Sequence, residues 1–298
     1  MSGYRLIAMD VDGTILTPDG ALTPRMLRAA RLAQERGVTL ALATSRRWIG
    51  AEPIARALGA VRPLILYDGA LRRGFPDGGV EAVEPLASDV AREAAGRIVA
   101  AGLRVVAQYS LSAGERMVAT EETPHGEWME SYLAMFTQEV RYRPLDTLLA
   151  VFQKPLRLVS FGPIETLRAL VDSLADLPVG RQILPFGSYG VAELMVFAPG
   201  VSKGSALTRL AADLGVPLSE TLAIGDGVND ISMLRAAGLG VVMGHAAPHV
   251  RAAADVVTTS NVEDGAARAI ERYILEEAPE EDETGDMALG LEEEEEPA

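Results

Sequence analysis

Apolar and polar positions follow two rhythms along this chain. Tyr4 to Met9 is a short apolar run ended by Asp and Gly, Arg25 to Arg36 has helical spacing, and Val38 to Ala43 is a second β-rich run. The three predict a strand, a helix and a strand. Arg47 to Leu58 predicts a further helix and Leu64 to Tyr67 a third strand. Crossovers this short favour parallel strands with right-handed connections. The rhythm returns late in the chain: helices over Lys203 to Leu214, Asp230 to Ala237 and Gly265 to Leu275 alternate with strands over Thr221 to Ile224, Leu239 to Met243 and Val256 to Thr258.

Between roughly Glu81 and Tyr189 the pattern is mixed. Helices are expected over Asp89 to Ala101 and Ile164 to Ala175, and strands over Leu103 to Gln108 and Leu156 to Phe161, with Ala192 to Phe197 at the exit. The expected fold class is α/β, with residues 1–80 and 191–277 sharing one parallel sheet and residues 81–190 forming an inserted α+β domain. The turn-rich Arg72 to Gly79 and Phe186 to Gly190 are the expected hinges.

Composition narrows the chemistry. The 298 residues suit two modest domains, and a hydrophobic fraction of 48% supports real cores. The chain has no cysteine, which removes thiolate metal sites, cysteine nucleophiles and disulfides and suits a reducing cytosol. Of the net charge of -15, much belongs to Glu276 to Ala298, which holds 12 of the 42 acids and no Lys or Arg. The acidic stretch 278–298 is expected to be disordered, with a protein partner as the alternative reading. Neither part carries a clustered basic stripe, so nucleic acid is not an expected partner. The apolar run of MSGYRLIAMDVDG is short and ends in aspartates, unlike a signal peptide or membrane span, and the expectation is a soluble, cytoplasmic protein.

Candidate chemistry gathers at strand ends. Asp10 and Asp12 stand two apart after the first strand, Thr44 and Ser45 end the second, and Asp226, Asn229 and Asp230 follow the Thr221 to Ile224 strand. Carboxyl ends of parallel strands converge on one rim, where open α/β folds bind ligands. Crowded carboxylates repel, and a hard cation such as Mg²⁺, which takes oxygen ligands, offsets that repulsion. Lys203 begins a helix after PGVS, where its ammonium and the helix N-terminus can face an anion. Singly, each has a plainer reading: DVDGT as an acidic turn, Thr44 as a helix cap, Asp226 as a turn starter and Lys203 as a surface charge. Those readings do not explain why all four segments reach the same rim.

In this order, DVDGT, ATSR, VSKG and GDGVND resemble the haloacid dehalogenase superfamily, and MGHAA and SNVEDGAA look like its Cof-type sugar-phosphatase branch. The resemblance implies a Rossmann-like core with an inserted type-two cap and a Mg²⁺-dependent phosphatase acting on a small phosphorylated metabolite through an aspartyl-phosphate. It implies Asp10 as nucleophile and Asp12 as general acid and base. Asp10, the Asp12 main-chain carbonyl and Asp226 would hold the metal, with Asp230 auxiliary, while Thr44, Ser45, Lys203 and Asn229 would hold the phosphate. Asp12 is expected to be partly desolvated near a carboxylate, the situation that favours a protonated acid.

The chain departs from the family at Ser45, where Gly is usual, and at Asp68 and His245, where Asn is common. Asp68 reads as a turn cap or a substrate contact, and His245 as a loop hydrogen bond near the rim. His125, Trp128, Met129, Tyr132 and Phe136 in the insertion have partly helical spacing and read as packing residues. Two rivals remain: a phosphomutase or phosphotransferase, and a regulatory protein that binds metal or phosphate without turnover.

Overall fold

The computed structural model describes residues 3–59, 61–111, 114–121, 129, 140–148, 154–186 and 191–276. The acidic tail, His125, Trp128, Tyr132 and Phe136 and most of the second expected hinge lie outside the described residues.

One sheet has eight strands in the order β14 (Val256–Val257), β13 (Leu239–Val242), β12 (Thr221–Gly225), β1 (Leu6–Met9), β2 (Thr39–Ala43), β3 (Val61–Leu66), β4 (Leu71–Arg73) and β5 (Val80–Val83). Every pairing from β14 to β3 is parallel, and β4 and β5 add an antiparallel hairpin at one edge. Successive side chains of a strand face opposite sides. Accordingly Ile7, Met9, Leu40 and Leu42 pack with the helices Pro24–Glu35, Trp48–Leu58 and Gly265–Tyr273, and Leu6, Ala8 and Ala41 pack with Lys203–Asp213 and Ile231–Ala236. Burial on both faces is why these strands read as continuous apolar runs.

The second sheet has six strands in the order β10 (Gly180–Phe186), β11 (Val191–Phe197), β9 (Arg157–Pro163), β6 (Val106–Leu111), β7 (Gly114–Thr120) and β8 (Val140–Arg143). Ala107, Leu158 and Leu194 pack with the helices Ser88–Ala100 and Ile164–Ser173, whereas Val106, Val159 and Met195 point the other way and join the core of the larger sheet. This sheet is therefore layered between its own helices and the first domain.

Sheet membership moves both expected boundaries. Val80–Val83 belongs to the eight-stranded sheet and Val191–Phe197 to the six-stranded one, so the chain crosses between sheets near 84–87 and again near 198–202. The stretch Arg72 to Gly79, expected as a hinge, contains the end of β4 and the turn into β5. Its Pro and Gly residues mark a hairpin turn, and a turn signal alone does not say whether the chain leaves the sheet. The third strand ends at Leu66 because Tyr67 and Asp68 take left-handed backbone angles (φ 51 and 55).

Candidate active site

β1 lies between β12 and β2, with Met9 level with Ile224 on one side and Leu42 on the other. That register brings Asp10, Thr44 and Asp226 to one rim, at the point where the connection out of β1 runs to β2 and the one out of β12 runs the opposite way to β13.

Asp10 is buried, and its Oδ1 accepts a hydrogen bond from Lys203 Nζ at 2.5 Å. Lys203, fully buried, also donates to Asp230 Oδ1 at 2.6 Å. The other Asp230 oxygen accepts from the backbone N–H groups of Asp226 (3.0 Å) and Gly227 (2.8 Å), which folds the GDGVND loop back on itself. Thr14 donates its hydroxyl to Asp226 Oδ1 at 2.8 Å. Lys203 is set by a capping box: Ser202 Oγ accepts from Ser205 N–H at 3.0 Å, and Ser205 Oγ accepts from Ser202 N–H at 3.1 Å. Such a cap stabilises a helix start by about 1 kcal/mol.

Carboxylate oxygens of Asp10, Asp226 and Asp230 lie within 4.8 Å of one another. Burial, then Asp230, holds the Asp10 carboxyl well above the ordinary carboxylate range against the opposing pull of Lys203. Burial likewise raises Asp226, with the Thr14 hydrogen bond opposing it. Burial alone would lower the Lys203 ammonium, but Asp10, Asp230 and Asp68 outweigh it and raise it. Three carboxylates against one ammonium form an all-oxygen donor set with excess negative charge, which fits a hard divalent cation. Gly13 (φ 80) keeps the space beside this cluster open, since a Cβ there would press into the Asp226 carboxylate.

Asp12 departs from expectation. Its carboxylate is exposed and gripped bidentately by Arg46, Nε to Oδ2 at 2.8 Å and Nη2 to Oδ1 at 2.6 Å. The physical reason is local: Asp12 is extended (φ -80, ψ 122) and Gly13 turns left-handed, so the side chain leaves the buried cluster. Arg46 was legible inside ATSR but carried no expected role. Together with Asp12, Thr17, Asp19, His245 and Asn261 it lines an open groove of about 530 Å³. His245 Nε2 stands 3.6 Å from Asp226 Oδ2, on the rim as expected.

Thr44 Oγ1 accepts from Arg46 N–H at 3.1 Å, ahead of the helix Trp48–Leu58, whose N-cap Arg47 provides no side-chain cap, so Thr44 does not cap that helix. Asp68 is neither a turn cap nor solvent-facing. It is buried, and its Oδ1 accepts from the Ser45 hydroxyl (2.6 Å) and from Asn229 Nδ2 (3.0 Å). Asn229 Nδ2 also donates to Ser45 Oγ at 3.0 Å. The Ser45 hydroxyl thus ties two motifs to Asp68.

The profile of the haloacid dehalogenase-like hydrolases matches residues 7–270. The chain belongs to this family. An HMP-PP phosphatase of Serratia proteamaculans is 32% identical over 257 residues, covering 83% of this chain and 86% of that protein. A pyridoxal phosphate phosphatase of Escherichia coli is 28% identical, covering 91% and 99%. A solved haloalkanoate-superfamily phosphatase structure from Bacteroides thetaiotaomicron superposes with a TM-score of 0.76 at 23% identity, covering 91% of this chain and 95% of that one. This likeness supports the two-sheet architecture seen here.

A half-buried carboxyl, Glu193, lies on the second sheet. Burial pushes the Glu193 carboxyl up to about 7, with Arg157 opposing and Asp68 reinforcing the shift. A carboxyl that binds its proton more tightly when folded adds stability below the ordinary carboxylate pKa of about 4.3. That contribution is lost as pH rises through about 7. The melting temperature of the wild-type protein should therefore fall, relative to Glu193→Gln, between pH 5 and pH 8; parallel curves in thermal melts would contradict the assignment.

Proposed function

We propose that the protein is a Mg²⁺-dependent phosphatase that passes the phosphoryl group of a small phosphorylated metabolite to Asp10 and then to water. The observation that carries the reading is the buried Lys203 ammonium bridging Asp10 and Asp230 at the rim, with Asp226 beside them. The family membership supports the same chemistry. The relatives are named for different compounds, HMP-PP and pyridoxal phosphate, which supports a class of substrate and singles out none. A groove of about 530 Å³ is of a size that holds small metabolites.

In this reading an Asp10 oxygen attacks phosphorus and the ester P–O bond breaks, while Asp12, protonated on the oxygen that has left the Arg46 fork and held by Arg46 through the other, gives that proton to the departing alkoxide. Asp12 then takes a proton from water as that water attacks the same phosphorus, which releases orthophosphate and restores Asp10. Lys203 neutralises charge on the transferring group, and Ser45, Thr44 and Asn229 orient its oxygens. Asp10, Asp226, Asp230 and the Asp12 carbonyl would hold Mg²⁺, which would supply charge neutralisation at the phosphoryl oxygens. Closure of the six-stranded sheet over the open groove would exclude water during the transfer.

Arg46 gives the reading its own handle. Arg46→Ala should leave the fold intact and lower kcat by ~10- to 100-fold, because Asp12 loses the fork that orients it. Arg46→Lys should recover only part, since an ammonium cannot reproduce the bidentate geometry. Steady-state kinetics of the two variants decide this, and an unchanged kcat in Arg46→Ala would remove Arg46 from the scheme.

The whole reading is tested with p-nitrophenyl phosphate and a panel of phosphorylated metabolites, with Mg²⁺ and with chelator. Orthophosphate release that requires Mg²⁺ is expected. A sugar monophosphate isomerised without release would establish a mutase instead, and a folded protein without any turnover would favour the regulatory reading.

A further inference from the structure

Two side chains of the second sheet take hold of a single turn in the first. Tyr67 and Asp68 both have left-handed backbone angles (φ 51 and 55) although neither is glycine. Such conformations persist where the surroundings over-determine them, and they gather at working sites. Here the surroundings come from the other domain. Arg157 of β9 donates to Asp68 Oδ2 at 3.0 Å and to the Ser45 carbonyl at 3.1 Å, and its guanidinium lies 5.2 Å from the centre of the Tyr67 ring. Gln108 of β6 accepts from Arg157 Nε at 2.7 Å, which fixes the guanidinium plane. Glu115 of β7 accepts from the Tyr67 hydroxyl at 2.8 Å and from the N–H of Trp48 at 2.8 Å, at the start of the helix Trp48–Leu58.

The turn is wired to the site. The Asp68 oxygen that does not meet Arg157 accepts from both Ser45 and Asn229, and the Asp68 N–H donates to the Thr44 carbonyl at 3.1 Å. Arg157 and Asp68 are both buried. A buried carboxylate deprived of its partner is costly, so Asp68 holds one orientation while Arg157 is in place and is under-compensated once the sheets separate. At this position, where Asn is common, the carboxylate has Arg157 as a cationic partner, which an amide would not demand.

We propose that Arg157 is a positioning residue: through Asp68 it sets Ser45 and Asn229 for the transferring phosphoryl group, so that the site is complete only while the six-stranded sheet is seated on the rim. The consequence for the reaction rests on the phosphatase reading above. The latch itself does not, because it exists without substrate.

The experiment compares the full chain with Arg157→Met, Arg157→Lys, Asp68→Asn and the Arg157→Met/Asp68→Asn double variant. Backbone amide exchange, read without substrate, should speed up at Asp68 and Trp48 in Arg157→Met and less so in Arg157→Lys. With p-nitrophenyl phosphate and Mg²⁺, kcat should fall ~10- to 100-fold in Arg157→Met with little change in KM, as expected for lost orientation. Arg157→Lys should restore part of kcat. In the Asp68→Asn background the Arg157→Met substitution should cost clearly less, because no orphaned carboxylate remains. Unchanged exchange at both amides, an unchanged kcat in Arg157→Met, or losses that simply multiply in the double variant would each overturn the proposal. If Arg157→Met does not fold, Arg157→Lys and Asp68→Asn carry the same exchange and kinetic readouts. Absence of turnover in the wild-type protein would refute the phosphatase reading and leave the exchange result to decide the latch.

Discussion

Asp10→Asn is expected to lower orthophosphate release by at least ~10⁴-fold while the protein stays folded. The amide has the shape of the carboxylate but neither its charge nor its nucleophilicity. The fold should tolerate the exchange, because Asp10 is buried and its carboxyl is held well above the ordinary range by burial and by Asp230. A carboxyl of that kind favours the folded state in its protonated form. Its stabilising contribution is present at low pH and is lost as pH rises through the raised value. At neutral pH and with chelator, Asn at position 10 should therefore be at least as stable as Asp, and the comparison should reverse or vanish toward low pH. Phosphate release and thermal melts of the same preparation check both halves. Substantial Mg²⁺-dependent turnover in a well-folded Asp10→Asn protein would eliminate the aspartyl-phosphate scheme.

How much of this was written in the sequence depends on whether the decisive spacing is local. The convergence of Asp10, Thr44, Lys203 and Asp226 was legible because each follows a recognisable strand or opens a recognisable helix, and a parallel sheet sends all such ends to one rim. Sheet membership of Val80–Val83 and Val191–Phe197 was not, because an apolar run of strand length reads alike in either sheet. The exposure of Asp12 escaped for a different reason: its extended backbone and the Arg46 fork set where the carboxylate points, and that partner lies 34 residues away. The Arg157 contact to Asp68 spans 89 residues and two sheets. No periodicity carries such a pair. The one available signal was an Asp standing where Asn is common, a charge in search of a partner.

Lys203→Met is the second substitution with a large expected effect, and it separates a structural counter-ion from a catalytic one. Lys203 has no exposed surface and bridges Asp10 and Asp230. Removing one side of a buried charge group costs about 3–5 kcal/mol, because the carboxylates left behind keep their desolvation penalty without compensation. For a chain of this size that corresponds to a fall in melting temperature on the order of 10 °C in the presence of chelator. A divalent cation held by Asp10, Asp226 and Asp230 would favour the folded state by mass action, so Mg²⁺ should return part of that loss. Catalysis should not return with it. The ammonium is needed where negative charge grows on the transferring phosphoryl group, and kcat should stay ~10²- to 10³-fold low in Mg²⁺. Thermal melts and initial rates, each with Mg²⁺ and with chelator, give four values that leave little freedom. Recovery of both stability and kcat in Mg²⁺ would make Lys203 a counter-ion alone, whereas an unchanged melting temperature in chelator would deny that the buried cluster depends on it at all.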